Sequence, residues 1–155
     1  MLYGNGPQGS IPGRFETMAR SRERLAADGV ERTARRICAT WLLDREASPA
    51  FDRLAALGTR VSLQAAAAGL WAMEGWDGRD RLADIRQPTL LVWGEHDRSY
   101  GWAQVEALWR GIPAASLAVL PACSHALHLE RAALFHALVL EFLVPPDRPK
   151  GGVLE

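Results

Sequence analysis

The sequence has 155 residues, which fits one domain and is long enough to bury a substantial core. Basic and acidic residues both number 18, so the zero net charge favours neither nucleic acid nor an anionic membrane as a partner. No apolar run is long enough to span a membrane, and the first residues lack a signal-peptide pattern. Two cysteines, Cys38 and Cys123, are too few for a disulfide framework, so we expect a cytoplasmic protein with free thiols.

The first 14 residues predict the end of a strand followed by a loop. Glycine and proline recur between Gly4 and Gly13, and both residue types interrupt regular structure. Only the stretch Met1–Tyr3 has strand character. We therefore assign residues 1–14 to a strand end and a loop.

Four predicted helices then follow one another without a strand between them. Apolar residues at helical spacing, with glycines as stop signals, place them at 15–28, 30–43, 49–58 and 61–76. Ser48 is the predicted N-cap of the third helix, and Pro49 occupies its first position. These helices predict a small layer of their own.

The pattern changes after Pro88. A buried strand is predicted at Thr89–Trp93, and a second strand at Ser116–Leu120 follows a helix that ends at Gly111. A long amphipathic helix over 127–143 completes the pattern, and 146–155 form a tail. Alternating strands and helices predict an α/β fold of two or three parallel strands with a right-handed crossover, the third strand being the N-terminal one.

Charged and polar residues follow both predicted strands. The first strand leads into "GEHD", which contains Asp97, and the second leads into "PACSHALHLE", which contains His125. Ligands of parallel α/β sheets bind at the carboxyl ends of strands, where these two side chains could meet. A carboxylate on Nδ1 of an imidazole fixes its tautomer and leaves Nε2 free to take a proton.

The segments "PTLLVWGEHDRSY" and "IPAASLAVLPACSHALHLERAALFHALVLEFL" resemble the last two strand–helix units of the α/β-hydrolase superfamily. The resemblance implies that Asp97 is the triad acid and His125 the triad base. Ser124 stands where the family often has glycine, and Ala132 stands where it often has proline. Neither difference removes a catalytic group.

The resemblance also implies an organisation of the chain. Residues 15–80 correspond to the helical cap, or lid, that many members carry, and 81–145 correspond to the C-terminal part of the hydrolase core. A cap presents an apolar underside to substrate, so we expect Trp71, Met73 and Trp76 to form part of a substrate wall. Trp102, soon after Asp97, is expected to shape the pocket beside the acid.

The family's nucleophile is missing. It lies in a G-x-S-x-G turn between a strand and a helix, and no such pattern occurs in these 155 residues. The surroundings of Ser10 contain glycines but not at the required positions. We therefore expect the sequence to be the C-terminal half of a hydrolase that is inactive alone. It would be a gene fragment, a processed chain or a truncated paralogue.

The resemblance implies hydrolysis of a small molecule at an ester, a lactone or a carbon–carbon bond next to a carbonyl, without cofactor or metal. Dehalogenases, epoxide hydrolases and acyltransferases share the fold and stay open as alternatives. A non-catalytic role is a further alternative. An open sheet edge would then pair with an N-terminal half chain or with a second copy.

Other residues compete for the catalytic roles. Glu95 is a second acid, and His128 is a second histidine that could also hold zinc with His125 in an H-x-x-H arrangement, with Asp97 as third ligand. Such spacing is common by chance, so we expect His128 to support the site residues from behind or to cap the last helix. We interpret His96 and His136 as structural residues. Cys123 is interpreted as a small buried residue, because it shares a loop with its would-be base.

Overall fold

The structure, a computed structural model, describes residues 1–144 and contains a parallel sheet with a helical layer beside it. In chain order the elements are β1 (Leu2–Tyr3), α1 (Met18–Trp41), α2 (Phe51–Gly58), α3 (Leu63–Gly75), β2 (Thr89–Gly94), α4 (Trp102–Gly111), β3 (Ala115–Leu120), α5 (Leu127–Glu130) and α6 (Ala132–Leu143). This confirms the predicted α/β class. The predicted tail at 146–155 lies outside the described residues.

The sheet has the order β1-β2-β3, and all its strands are parallel. The third, N-terminal strand is therefore present, although it contains only two residues and pairs Leu2 with Leu91. Side chains of β2 alternate between the two faces of the sheet, as a strand requires. Leu90 packs in a cluster with Phe135 of α6, whereas Leu91 packs with Leu108 of α4. Both faces of β2 are thus buried.

The predicted long C-terminal helix is interrupted. Arg131 has φ −129° and ψ 46°, which separates α5 from α6. Its guanidinium donates from Nε to the carbonyl of Pro121 at 3.0 Å. The carboxylate of Glu130 is also engaged, with backbone N–H groups of two other segments. These bonds fix the backbone at the break, which apolar periodicity alone did not predict.

The helical layer consists of α1, α2 and α3. Gly29 was predicted to end the first helix, yet the chain continues directly into the next one through a kink at this residue (φ 75°, ψ 179°). Thr17, rather than Phe15, marks the start of α1, because its side chain accepts the N–H of Arg20 at 3.2 Å. The first two predicted helices therefore form one bent helix.

The predicted cap of α2 is wrong. Ala50 is the N-cap residue, and Ser48 lies in a turn where its hydroxyl accepts the N–H of Ala50 at 3.4 Å. The N–H of Phe51 donates to the carbonyl of Ser48 at 2.9 Å and completes that turn. Serine followed by proline thus formed a turn before the helix rather than its first residues.

The N-terminal loop is tied to the end of α3. The N–H of Gly9 donates to the carbonyl of Trp76 at 3.0 Å, and the N–H of Gly78 donates to the carbonyl of Pro7 at 2.8 Å. This loop therefore runs between β1 and the helical layer. Within residues 1–144, none of the helices has both the length and the apolar character to cross a bilayer.

Candidate active site

The loop after β2 holds the Asp97 carboxylate in a buried position. The Asp97 N–H donates to the carbonyl of Gly94 at 2.9 Å, which closes a tight turn. Carboxylate oxygen Oδ1 accepts the N–H groups of Ser99 at 2.7 Å and Tyr100 at 3.1 Å. The side chain is 0 % exposed. These bonds stabilise the buried charge and leave Oδ2 for another partner.

The loop after β3 packs directly on the acid loop. The buried Ser124 hydroxyl donates to the carbonyl of His96 at 3.0 Å, and the His96 N–H donates to the carbonyl of Cys123 at 2.9 Å. Gly94 permits this approach, because a Cβ there would overlap the carbonyl oxygen of Ser124. Ser124 therefore does more than replace an expected glycine, since its hydroxyl joins the two loops.

The two loops bring His125 and Asp97 together. Nδ1 of His125 lies 3.0 Å from Oδ2 of Asp97, and the histidine side chain is 16 % exposed. An ionised carboxylate only accepts hydrogen bonds, so Nδ1 is the protonated nitrogen of the neutral ring. Within residues 1–144, Nε2 makes no hydrogen bond. The arrangement can therefore accept a proton at Nε2 and stabilise the resulting imidazolium.

Three residues surround the imidazole of His125. The ring of Trp41 lies 5.3 Å away between centroids, and Tyr100 stacks at 6.0 Å with an interplanar angle of 29°. Gly4, at the end of β1, has φ +59°, and a Cβ on it would lie 3.1 Å from Cε1 of His125. The ring therefore occupies a close-fitting slot formed by three different segments of the chain.

The segment Trp41–Leu43 at the end of α1 is bonded to both loops, the one after β2 and the one after β3. The N–H of Ala126 donates to the Trp41 carbonyl at 2.8 Å, and the guanidinium of Arg98 donates to the carbonyls of Leu42 and Leu43 at 2.9 and 3.2 Å. We call this segment with its partners the latch. It couples the helical layer to the residues that flank Asp97 and His125.

Glu130 completes the latch. Its carboxylate accepts the N–H of Leu43 through Oε1 at 2.6 Å and the N–H of Ser124 through Oε2 at 2.7 Å. One side chain thus holds both the end of α1 and the residue before His125. Charge-assisted bonds of this kind are about twice as strong as neutral ones, so Glu130 fixes this junction.

A cavity of about 230 Å³ lies beside His125. It is bounded by the N-terminal loop, the helical layer and the acid loop, and most of its surface is apolar. The residues that line it are Gly4, Gly9, Ile11, Arg14, Phe15, Ile37, Trp41, Leu70, Met73, Ser99, Tyr100 and His125. This volume is somewhat below the roughly 300–1,000 Å³ of typical ligand pockets, so the cavity suits only a small organic molecule.

Two polar groups besides His125 contribute to the chemistry of this cavity. Burial raises the pKa of the Tyr100 phenol, an effect that the Arg14 charge opposes, so the hydroxyl stays protonated at neutral pH and can donate. Burial lowers the pKa of the Arg14 guanidinium, against the effects of Glu16 and Tyr100, yet arginine remains charged. The cavity therefore holds a neutral donor and a cation.

Of the four residues predicted to contact substrate, the structure brings only one to this cavity. Met73 lines it. Trp71 is 61 % exposed and packs under the guanidinium of Arg22, 3.9 Å from the ring centroid. Trp76 is half exposed, and Trp102 lies with Asp97 around a separate open depression. Trp41, by contrast, is the tryptophan that meets His125.

The rival residues have other contacts. Glu95 accepts the N–H of Ala122 and is exposed, as are His96 and His136. His128 packs against the aromatic rings of Tyr3 and Phe135. No cluster of three possible metal ligands occurs within the part of the chain that the structure describes.

The thiol of Cys123 is buried and donates to the carbonyl of Leu120 at 3.4 Å. Burial, followed by the charge of Glu130, raises its pKa to about 11. The reactive form of a cysteine is the thiolate, and very little forms at neutral pH. Cys123 is therefore not a nucleophile for His125.

The sequence did not single out Gly4, Arg14, Trp41 or Tyr100. Gly4, Arg14 and Trp41 reach the site through long-range packing, and no spacing in the sequence relates them to His125. Tyr100 had a weak signal, because it follows Asp97 by three residues and an aspartate commonly binds the N–H groups just after it. Gly4 and Arg14 lay in a stretch that predicted only a loop.

Comparison with known proteins gives a consistent result. The profile of the alpha/beta hydrolase family matches residues 3–138. A 2-hydroxy-6-oxononadienedioate/2-hydroxy-6-oxononatrienedioate hydrolase of Pseudomonas putida is 45 % identical over 67 residues, 43 % of this chain and 23 % of that protein. A 2-hydroxy-6-oxo-6-phenylhexa-2,4-dienoate hydrolase of Burkholderia cepacia is 37 % identical over 71 residues, 46 % of this chain and 25 % of that protein.

Solved structures agree on the fold. A hydrolase from Pseudomonas aeruginosa PA01 superposes with a TM-score of 0.76 at 25 % identity, over 92 % of this chain and 54 % of that one. The enol-lactonase from Burkholderia xenovorans LB400 gives a TM-score of 0.78 at 23 % identity, over 92 % and 54 %. The chain thus spans about half of these structures. The resemblance seen in the sequence is confirmed.

Proposed function

Because the chain belongs to the alpha/beta hydrolase family, we propose that it supplies the base and the acid of a nucleophile–histidine–acid triad. His125 is the base and Asp97 the acid. The single observation that carries the proposal is the 3.0 Å contact between Nδ1 and Oδ2, made by a fully buried carboxylate beside a cavity. The nucleophile comes from residues outside these 155, since they contain no G-x-S-x-G pattern.

The proposed steps follow from the pair. Nε2 of His125 takes the proton of the nucleophile as the nucleophile attacks the substrate carbonyl, and Asp97 stabilises the imidazolium. The imidazolium then gives this proton to the leaving group as the bond to the carbonyl breaks. Water repeats the sequence on the acyl intermediate and releases the acid. His125 thus acts first as base and then as acid.

The substrate in this proposal is a small carbonyl compound cleaved next to its carbonyl group. A carbon–carbon bond is the first choice, because both sequence relatives are hydrolases of 2-hydroxy-6-oxo dienoate compounds. Esters and lactones are the second choice. We also propose that the helical layer acts as the cap of this cavity, since Trp41 and Met73 contribute to its wall.

A second candidate is a non-catalytic subunit. It is favoured by β1, a two-residue strand at the edge of the sheet whose outer side has no partner among residues 1–144. Tyr3 on this strand is 38 % exposed. Such an edge can pair with another chain. In this case the chain would bind an N-terminal half or a second copy of itself without adding catalytic groups.

The test joins this chain to the N-terminal half of a family member that contains the G-x-S-x-G turn. Hydrolysis of 4-nitrophenyl acetate and of 2-hydroxy-6-oxo-6-phenylhexa-2,4-dienoate is then measured with and without His125→Ala. We expect the isolated chain to be inactive and the joined protein to be active. His125→Ala should lower kcat by about 10³-fold or more, as loss of a triad base does.

His136→Ala is the matched control, because His136 is an exposed histidine on α6. It should leave the rate unchanged. Equal rates for His125→Ala and wild type would reject the triad role. Turnover by the isolated chain that depends on His125 would show that the nucleophile lies within these residues. A stable but inactive joined protein would favour the non-catalytic candidate.

A further inference from the structure

The cavity beside His125 contains a single permanently charged side chain among its described lining residues, that of Arg14. The other lining groups are apolar, glycine, or the neutral polar groups of Ser99, Tyr100 and His125. A lone cation in an apolar cavity is costly unless an anion joins it. Arg14 therefore marks one part of the cavity as suited to a negative group.

The guanidinium of Arg14 is held in place from one side. Nη1 donates to the carbonyl of Glu16 at 2.6 Å and to the hydroxyl of Ser21 at 2.9 Å. Its carbon centre lies 4.7 Å from the ring centroid of Phe15. Nε and Nη2 have no hydrogen-bond partner among residues 1–144. These two nitrogens form one edge of the planar group, the edge that binds a carboxylate through two parallel bonds.

The acids near this cation are shared with other arginines. The buried carboxylate of Glu16 lies 3.5 Å from Nε of Arg24 and 3.5 Å from Nη2 of Arg36. Asp28 pairs with Arg36 at 3.2 Å. Three arginines thus share two carboxylates, and one positive charge remains. Burial lowers the pKa of Arg14, as expected for a guanidinium that is partly removed from solvent.

We propose that the cavity takes substrates that carry a carboxylate, and that Arg14 binds this carboxylate while the reacting carbonyl lies at His125. This inference rests on the proposed function, because it takes the cavity beside His125 as the substrate site. Ile37, Leu70 and Met73 contact the apolar part of the molecule between its two ends. Arg14 thereby selects acids over neutral analogues of the same shape.

The test measures binding, so it does not need the nucleophile. The full chain is titrated with 5-oxo-5-phenylpentanoate and with its primary amide, a neutral analogue of nearly the same shape. The indole N–H signal of Trp41 in the cavity reports binding by NMR. We expect the acid to bind about 10- to 100-fold more tightly than the amide, the range for hydrogen bonds to charged groups.

Arg14→Met should abolish this preference and change the affinity for the amide by less than about twofold. Arg20→Met is the matched control, because Arg20 is exposed and pairs with Glu23 on the surface of α1. It should keep the full preference. An undiminished preference in Arg14→Met, or equal binding of acid and amide by wild type, would overturn the proposal.

Arg14→Lys is a second variant that tests the proposal even if Arg14→Met does not fold. Lysine keeps the charge and loses the paired donors, so the preference should fall about 3- to 10-fold without disappearing. A preference that stays whole in this variant would contradict bidentate binding. His125→Ala should keep the preference for the acid over the amide. Loss of hydrolysis in that variant therefore tests the proposed function, whereas the binding measurements test the role of Arg14.

Discussion

At the scale of single residues, Gly4 shows how the site depends on backbone conformation. Its φ of +59° is favourable for glycine and costs other residues about 1–2 kcal/mol. The missing side chain also leaves room for the imidazole of His125. Gly13 has a similar conformation, with φ +78°, yet nothing lies within 4 Å of the position of its Cβ. Comparison of the two glycines therefore distinguishes the effect of backbone strain from the effect of the contact with His125.

We expect Gly4→Ala and Gly13→Ala to lose about 1–2 kcal/mol of unfolding free energy each through backbone strain. Gly4→Ala should in addition displace His125, because the new methyl group would lie 3.1 Å from Cε1. Chemical denaturation measures the first effect, and the NMR signals of the His125 ring report the second. Identical ring signals in both variants would show that Gly4 does not position the histidine.

The contact between Asp97 and His125 could be predicted from the sequence, and their catalytic role stays a prediction. Each residue follows a short strand with a clear apolar pattern, and parallel strands end at the same edge of the sheet. Arg14 and Trp41 could not be predicted in the same way. They reach the cavity from a glycine-rich loop and from the end of a long helix. Local sequence patterns do not show that these segments come close to His125.

At the scale of elements, the latch joins α1 to the loops after β2 and β3. Glu130 is its central residue, because its two carboxylate oxygens serve one backbone N–H each, from Leu43 and Ser124. A glutamine has the same size but only one acceptor oxygen, and its amide nitrogen would face a second N–H group. One buried donor would then lose its partner.

Glu130→Gln should therefore lower the free energy of unfolding by about 1–3 kcal/mol, the cost of an unsatisfied buried donor. Glu141→Gln, a change at an exposed position on α6, should alter stability by less than about 0.5 kcal/mol. Urea denaturation of both variants measures the difference. If the two variants are equally stable, Glu130 has no special part in the latch.

The boundaries of the elements were less predictable than their existence. The strands were predicted to within one residue at each end, since buried β-strands give short apolar runs. Gly29 was correctly recognised as an interruption, but its φ of 75° bends α1 without a loop. The break at Arg131 depends on bonds to Pro121 and on the latch, which are far from any local helix signal.

At the scale of the whole molecule, stability should depend on pH through His128. This histidine packs against Tyr3 of β1 and Phe135 of α6, with ring centroids at 5.4 and 6.1 Å. Its Nδ1 is buried without a partner among residues 1–144. Burial, and then the charge of His125, lower its pKa below the ordinary value of 6.5. It is therefore mostly neutral in the folded protein at neutral pH.

Below pH 6.5 the unfolded chain binds a proton at His128 before the folded protein does. The free energy of unfolding should thus fall as pH is lowered through this range, down to the pKa of the folded state. His128→Gln should reduce the fall between pH 7.5 and 5.5. His136→Gln, at an exposed position, should leave it as in wild type. Thermal or urea unfolding at several pH values measures these slopes.

The fold as a whole was largely predictable, because few architectures combine strand–helix alternation with a motif at the ends of two strands. The arrangement of the helical layer over the sheet was not. It depends on backbone bonds between distant segments, such as those of Gly9 with Trp76 and of Ala126 with Trp41. Such bonds involve no side-chain type that a sequence pattern could report.

The latch also constrains how a molecule reaches the cavity. Movement of the end of α1 away from the sheet would break the bonds of Trp41, Leu42 and Leu43, and would disturb the loops that hold His125 and Asp97. Ile11 and Phe15 also line the cavity, but they belong to the N-terminal loop and take no part in the latch. A change in the cavity wall at these two residues would therefore leave the bonds of the latch intact.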